Sequence, residues 1–102
     1  MHPNWQKIPL TSTEIAYLTS WVRQKIFTIL GVPDDILYEF IMDQLRNERG
    51  IVPKMMEINL CGFLGLKNSK FFVGELLEAV FAAKVELDNA DFEDRFAGMA
   101  VN

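Results

Sequence analysis

Across 102 residues there is one cysteine and one histidine. Cys61 has no internal partner for a disulfide, and one Cys with one His assembles no familiar zinc-ligand pattern. A lone cysteine suits a reducing compartment, and its expected role beside Leu60 and Phe63 is that of a small buried hydrophobe. Long apolar runs are missing too. No segment reaches the roughly 18 uninterrupted apolar residues that span a bilayer. Met1 to Lys7 is polar, so neither membrane insertion nor secretion is expected. The alternation that marks half-buried strands is absent, as are internal repeats and low-complexity segments. There is no Walker-type phosphate loop, no Gly-x-Gly-x-x-Gly, and no serine or histidine in a recognisable catalytic setting. The expectation is a chain with no catalytic residues, no metal and no cofactor.

A basic excess is also lacking. Net charge is −4. Residues 1–84 balance nine Lys/Arg against nine Asp/Glu, while residues 85–102 set Glu86, Asp88, Asp91, Glu93 and Asp94 against Arg95 alone, which is 1 − 5 = −4. Dedicated nucleic-acid binders carry the opposite bias, because neutralising phosphates releases counterions and supplies most of the affinity. The tail reads as a solvated acidic extension.

What is present is apolar material in helical register. Half the residues are apolar, ample for one core in one small domain. Residues 1–10, with Pro3, Pro9 and Trp5, read as an extended lead-in, with Trp5 folded back over the domain. Thr11-Ser12-Thr13-Glu14 has the form of a capping box. Ile15, Leu18, Val22, Ile26 and Ile29 then recur every three or four residues as far as Gly31, a suitable left-handed cap. Pro33 is placed in the first turn of a second helix, with Asp34 and Asp35 against its positive dipole end and Ile36, Leu37, Phe40, Ile41 and Leu45 as its buried stripe. Residues 46–50 are a polar loop. Pro53 opens a third helix carrying Met55, Met56, Ile58 and Leu60. Gly62 and Gly65 are expected to stop it and to let the backbone pass close to a neighbour. Asn68 or Ser69 would cap a fourth helix through Phe72, Val73, Leu76, Leu77, Val80 and Ala83. The fold expected is all-α, a compact four-helix bundle over 11–87. An acidic tail (88–102) adds a short fifth helix through Phe92 and Phe96.

Several residues invite a chemical reading. Trp21 is read as a core anchor in preference to a base-stacking platform, together with Val22, Phe40, Leu60, Gly62 and Phe63. Met55 and Met56 are read as core in preference to an adaptable binding surface. Asp34, Asp35, Glu39 and Asp43 lack the spacing of a calcium loop, and dipole compensation accounts for the acids. Arg23, Lys25, Lys54, Lys67 and Lys70 are the candidates for nucleic-acid contact. Most have an acid within a few residues, so solvated surface charge is the default reading.

The order of residues from Ser20 to about Lys84 carries one further signal. Trp21, Ile29-Leu30-Gly31, Asp34-Asp35, Glu39-Phe40-Ile41, Gln44-Leu45, Lys54-Met55-Met56, Ile58-Asn59-Leu60, Gly62-Phe63-Leu64, Lys67-Asn68 and Gly74-Glu75-Leu76 fall in the sequence seen in the PWI domain. This stretch resembles that family, a small helical module of pre-messenger-RNA splicing proteins. The tripeptide that names it reads Ser20-Trp21-Val22 here. The resemblance implies a four-helix bundle and a nuclear, non-enzymatic role in splicing. It also implies a monomer whose partners are splicing-associated proteins, with RNA or DNA as a weak and salt-dependent second ligand. Nucleic-acid binding in the family leans on a basic segment beside the bundle, where this chain offers only Lys7. Because the capping box starts at Thr11, the first helix is expected to run unbroken through Ser20.

Overall fold

The structure, a computed structural model, describes the backbone of residues 6–100 and the side chains of residues 6–87. Three helices form, α1 (Ser12–Leu30), α2 (Asp35–Leu45) and α3 (Pro53–Ala100), and the described residues contain no strand. Trp5 and the side chains of Phe92 and Phe96 lie outside the described residues, and so do the expected packing of that tryptophan and of the tail.

The start of α1 is fixed by its sequence. The Glu14 amide donates to Thr11 Oγ1 (3.1 Å) and the Thr11 amide donates to Glu14 Oε1 (2.9 Å), so both halves of the capping box are made. The helix continues through Ser20 and ends at Gly31, whose φ of 79° is left-handed and whose N–H donates to the Phe27 carbonyl. At α2 the cap is Asp34, with its carboxylate accepting from the Leu37 amide at 3.0 Å. Pro33 therefore precedes the cap and lies outside the first turn where it was expected. With Asp34 as the cap its carboxylate satisfies the Leu37 amide, whereas a start at Pro33 would put Val32, which has no side-chain acceptor, at the cap.

Beyond Pro53 the expected third and fourth helices run together as one element. A kink marks their junction: Gly65 alone departs from helical geometry, with φ 80° and ψ 164°. Gly62 stays helical and exposed, and a Cβ built on either glycine would meet nothing within 4 Å, so neither is a point of close approach. Asn68 and Ser69 lie inside the helix beyond the kink and do not cap it. Ser69 is buried and its hydroxyl donates to the Glu57 carbonyl, which ties the two arms of α3 across the bend. The stretch expected as a separate fifth helix is the end of α3. No glycine or proline interrupts residues 75–97 to end the helix sooner.

The core gathers the apolar stripes around α1, against which both α2 and α3 pack. Leu18, Val22 and Ile26 meet Leu37, Ile41, Met42 and Leu45 of α2, Met56, Leu60 and Leu64 of the first arm of α3, and Phe72, Val73, Leu76, Val80 and Ala83 of the second. Each large aliphatic side chain buried in this way contributes about 1.5–3 kcal/mol. Tyr38 and Met42 join the core of α2 where Ile36 was expected; Ile36 is 76% exposed. Met55 and Ile58 are likewise surface residues, since α3 turns Met56 and Leu60 inward.

The lead-in is held by backbone bonds. Ile8 and Ile51 exchange N–H···O bonds of 2.8 and 2.9 Å as an isolated antiparallel bridge. The crossing is tight at Gly50, where a Cβ would stand 2.7 Å from the Ile8 carbonyl carbon and the Pro9 nitrogen. Its φ of 93° also favours glycine. Lys84 closes the far end of the domain, donating to the Pro9 carbonyl (3.0 Å) and to Glu14 Oε1 (2.9 Å).

Candidate functional site

Three of the five basic candidates are engaged by acids of the same chain. Arg23 pairs with Asp35 at 3.3 Å and lays its guanidinium 3.7 Å over the Tyr38 ring. Lys25, the most enclosed of the three, pairs with Glu75 at 3.3 Å, with its ammonium 5.6 Å from the Trp21 ring and 5.3 Å from that of Phe71. Lys54 pairs with Glu57 at 3.2 Å. Lys67 and Lys70 are exposed beyond the kink, with no ion pair among the described residues. Exposed pairs such as Arg23–Asp35 are worth only about 0.2–1 kcal/mol. Every one nonetheless sets a carboxylate beside the cation that a phosphate would have to approach.

Trp21 is partly buried, its ring 5.7 Å from that of Phe72 and tilted by 53°. Val22 and Leu60 are fully buried. Phe40 is partly buried and packs at 5.0 Å, tilted by 41°, against Phe63. Phe63 itself is 41% exposed, so it and Gly62 belong to the surface and not to the core. One residue along the helix, Leu64 takes the inward position that Phe63 was expected to hold.

This aromatic pair opens a feature that the sequence pattern did not disclose. On the outer face of α2, Asp35, Ile36, Glu39, Phe40 and Asp43 line a shallow, open depression between side chains of that one helix. Ile36, Phe40 and Gln44 fall at i, i+4 and i+8, one ridge of the helix, and Asp35, Glu39 and Asp43 form the neighbouring ridge. The seam between α2 and α3 is bridged by Phe40 with Phe63, and by the Asn59 amide donating to Gln44 Oε1 at 3.4 Å. Gln44 Nε2 is buried without a hydrogen-bond partner among the described residues. Such an orphan costs roughly 1–3 kcal/mol. It borders a second hollow of about 240 Å³ lined also by Asn47, Ile51, Met55 and Asn59.

Two titratable groups respond to their surroundings. Burial pushes the Glu14 carboxyl up, but the Thr11 amide and the Lys84 ammonium outweigh it and hold the group below the usual carboxylate value. Tyr17, 45% exposed, donates its hydroxyl to Glu86, and that bond holds the phenol above its ordinary range. Among the described residues no group of His, Cys, Asp and Glu is placed to hold a metal ion, and no helix is long and apolar enough to cross a membrane.

An all-helical domain centred on α1, with Trp21 against Phe72 and the run of matched residues from Trp21 to Leu76, defines its class: the chain belongs to the PWI domain family, whose model matches residues 16–86. It is also 35% identical over 79 residues to Serine/arginine repetitive matrix protein 1 of Gallus gallus. That similarity takes in 78% of this chain but only 9% of the length of the relative.

Proposed function

We propose that this domain is a non-enzymatic docking module of nuclear pre-mRNA processing, which engages splicing-associated proteins through its helical surface. Family membership and the likeness to a serine/arginine repetitive matrix protein support the setting. The single observation that carries the choice of docking over autonomous RNA binding is the pairing of Arg23, Lys25 and Lys54 with Asp35, Glu75 and Glu57. Each of these cations carries a carboxylate that an incoming phosphate has to displace, which lowers the gain from neutralising it, and phosphate neutralisation supplies most of non-specific affinity. The acidic residues after Lys84 add to the repulsion. Exposed apolar side chains, among them Ile36, Phe63, Leu66 and Phe71, provide what protein contact requires.

A second reading rests on Lys67 and Lys70. They stand unpaired among the described residues, beside the exposed Leu66 and Phe71, and would serve a weak, salt-dependent contact with RNA or DNA. The test that separates the two is recovery of splicing proteins from nuclear extract on the immobilised domain, with and without ribonuclease. The docking reading expects recovery to persist after ribonuclease treatment. Loss of the recovered proteins on digestion would overturn it in favour of an RNA tether.

A further inference from the structure

The outer face of α2 holds apolar surface that the bundle leaves uncovered. Ile36 is the most exposed large apolar residue among the described residues, and it lines the depression together with Phe40, whose ring packs against Phe63 at 5.0 Å. We propose that this face is a docking groove for a basic peptide segment of a partner protein, with an aliphatic or aromatic anchor flanked by arginine or lysine. The proposal rests on the docking reading above and gives the partner its chemistry.

Charge complementarity decides the occupant. Asp35, Glu39 and Asp43 recur every four residues along the depression, a spacing at which like charges repel and weaken their own helix. A cation laid along the ridge relieves that repulsion. The fold already does this in part: Arg46 reaches Glu39 at 3.7 Å and Asp43 at 3.3 Å, and Arg23 reaches Asp35 at 3.3 Å. All three carboxylates stay more than half exposed in these pairs, so oxygens remain open to further donors. A partner guanidinium finds the same acceptors and binds them bidentately, at the edge of the apolar surface that takes the anchor. Nucleic acid and acidic peptides are repelled by the same ridge. Size fits as well, since Ile36 to Gln44 spans about 12 Å of helix, the reach of about four extended residues.

The test is a titration of the full chain, labelled with nitrogen-15, by a capped eight-residue peptide of arginine and leucine. A peptide with glutamate in place of arginine is the control. The expected result is amide shifts centred on Ile36, Glu39, Phe40, Asp43 and Phe63, with no response to the glutamate peptide. Ile36→Ser removes apolar surface and should weaken binding roughly tenfold or more. The double variant Glu39→Gln with Asp43→Asn should weaken it roughly two- to twentyfold. Both variants alter exposed positions, so neither should unfold the domain, and melting curves check that each stays folded at the titration temperature. Shifts elsewhere, equal binding by both peptides, unchanged affinity in the variants, or no binding at millimolar peptide would each overturn the proposal. Ribonuclease-resistant recovery of splicing proteins that is indifferent to Ile36→Ser would overturn the groove and leave the docking reading standing. Failure of the unaltered domain to recover them would overturn the docking reading itself.

Discussion

Gly50 and Gly31 both have positive φ, but only Gly50 has backbone within reach of an added Cβ. Gly31→Ala therefore meets only the left-handed penalty, about 1–2 kcal/mol. Gly50→Ala adds a collision with Ile8 and Pro9 at 2.7 Å. Urea denaturation should show the larger loss for Gly50→Ala, together with early exchange of the Ile8 and Ile51 amides. Trp21→Ala is expected to cost less than the roughly 3–5 kcal/mol of a fully buried tryptophan, because the ring is only partly enclosed. Glu14 links one residue to pH. Its folded pKa is lowered, so the stability it contributes is complete above the unfolded-state value and is lost as pH falls through the folded one. Acid melts of Glu14→Gln should accordingly show a shallower fall in stability below the ordinary glutamate range than the parent does.

Elements are where the sequence was most and least legible. Caps at Thr11 and Gly31, the unbroken passage of α1 through Ser20, and the stripe Leu18-Val22-Ile26 follow from side-chain chemistry that acts within one or two turns. The same locality hid the surface. Ile36 and Leu37 are equally apolar neighbours, and only packing on α1 decides that Leu37 turns inward. Pairing of Lys25 with Glu75 joins residues fifty apart, which no local pattern announces. Gly65 is intermediate: a breaker was legible, and Gly65 does break the helical geometry, but the bond from Ser69 to the Glu57 carbonyl that spans the bend joins residues twelve apart and was not legible. Two substitutions test this level. Ser20→Pro should destabilise by roughly 3 kcal/mol or more, by breaking the middle of α1. Gly65→Ala, which meets no neighbouring atom, should cost only the backbone strain of its conformation, about 1–3 kcal/mol. Thermal melts followed by circular dichroism would read both.

At the scale of the whole molecule, nucleic-acid binding turns on which cations are free. If Arg23, Lys25 and Lys54 are occupied by their own acids, single-stranded RNA meets only Lys67 and Lys70 as unpaired candidates from the five. The direct measurement is the affinity of the full chain for a short single-stranded RNA as salt is raised. Each phosphate neutralised contributes about 0.7 to the logarithmic slope on a single strand, so two contacts give about 1.4 and five give about 3.5. Weak binding is expected, with a slope near the lower value, abolished at physiological ionic strength and flattened in the double variant Lys67→Ala with Lys70→Ala. Tight binding that persists at physiological salt, or a slope near the higher value that Arg23→Ala and Lys25→Ala reduce, would contradict this expectation.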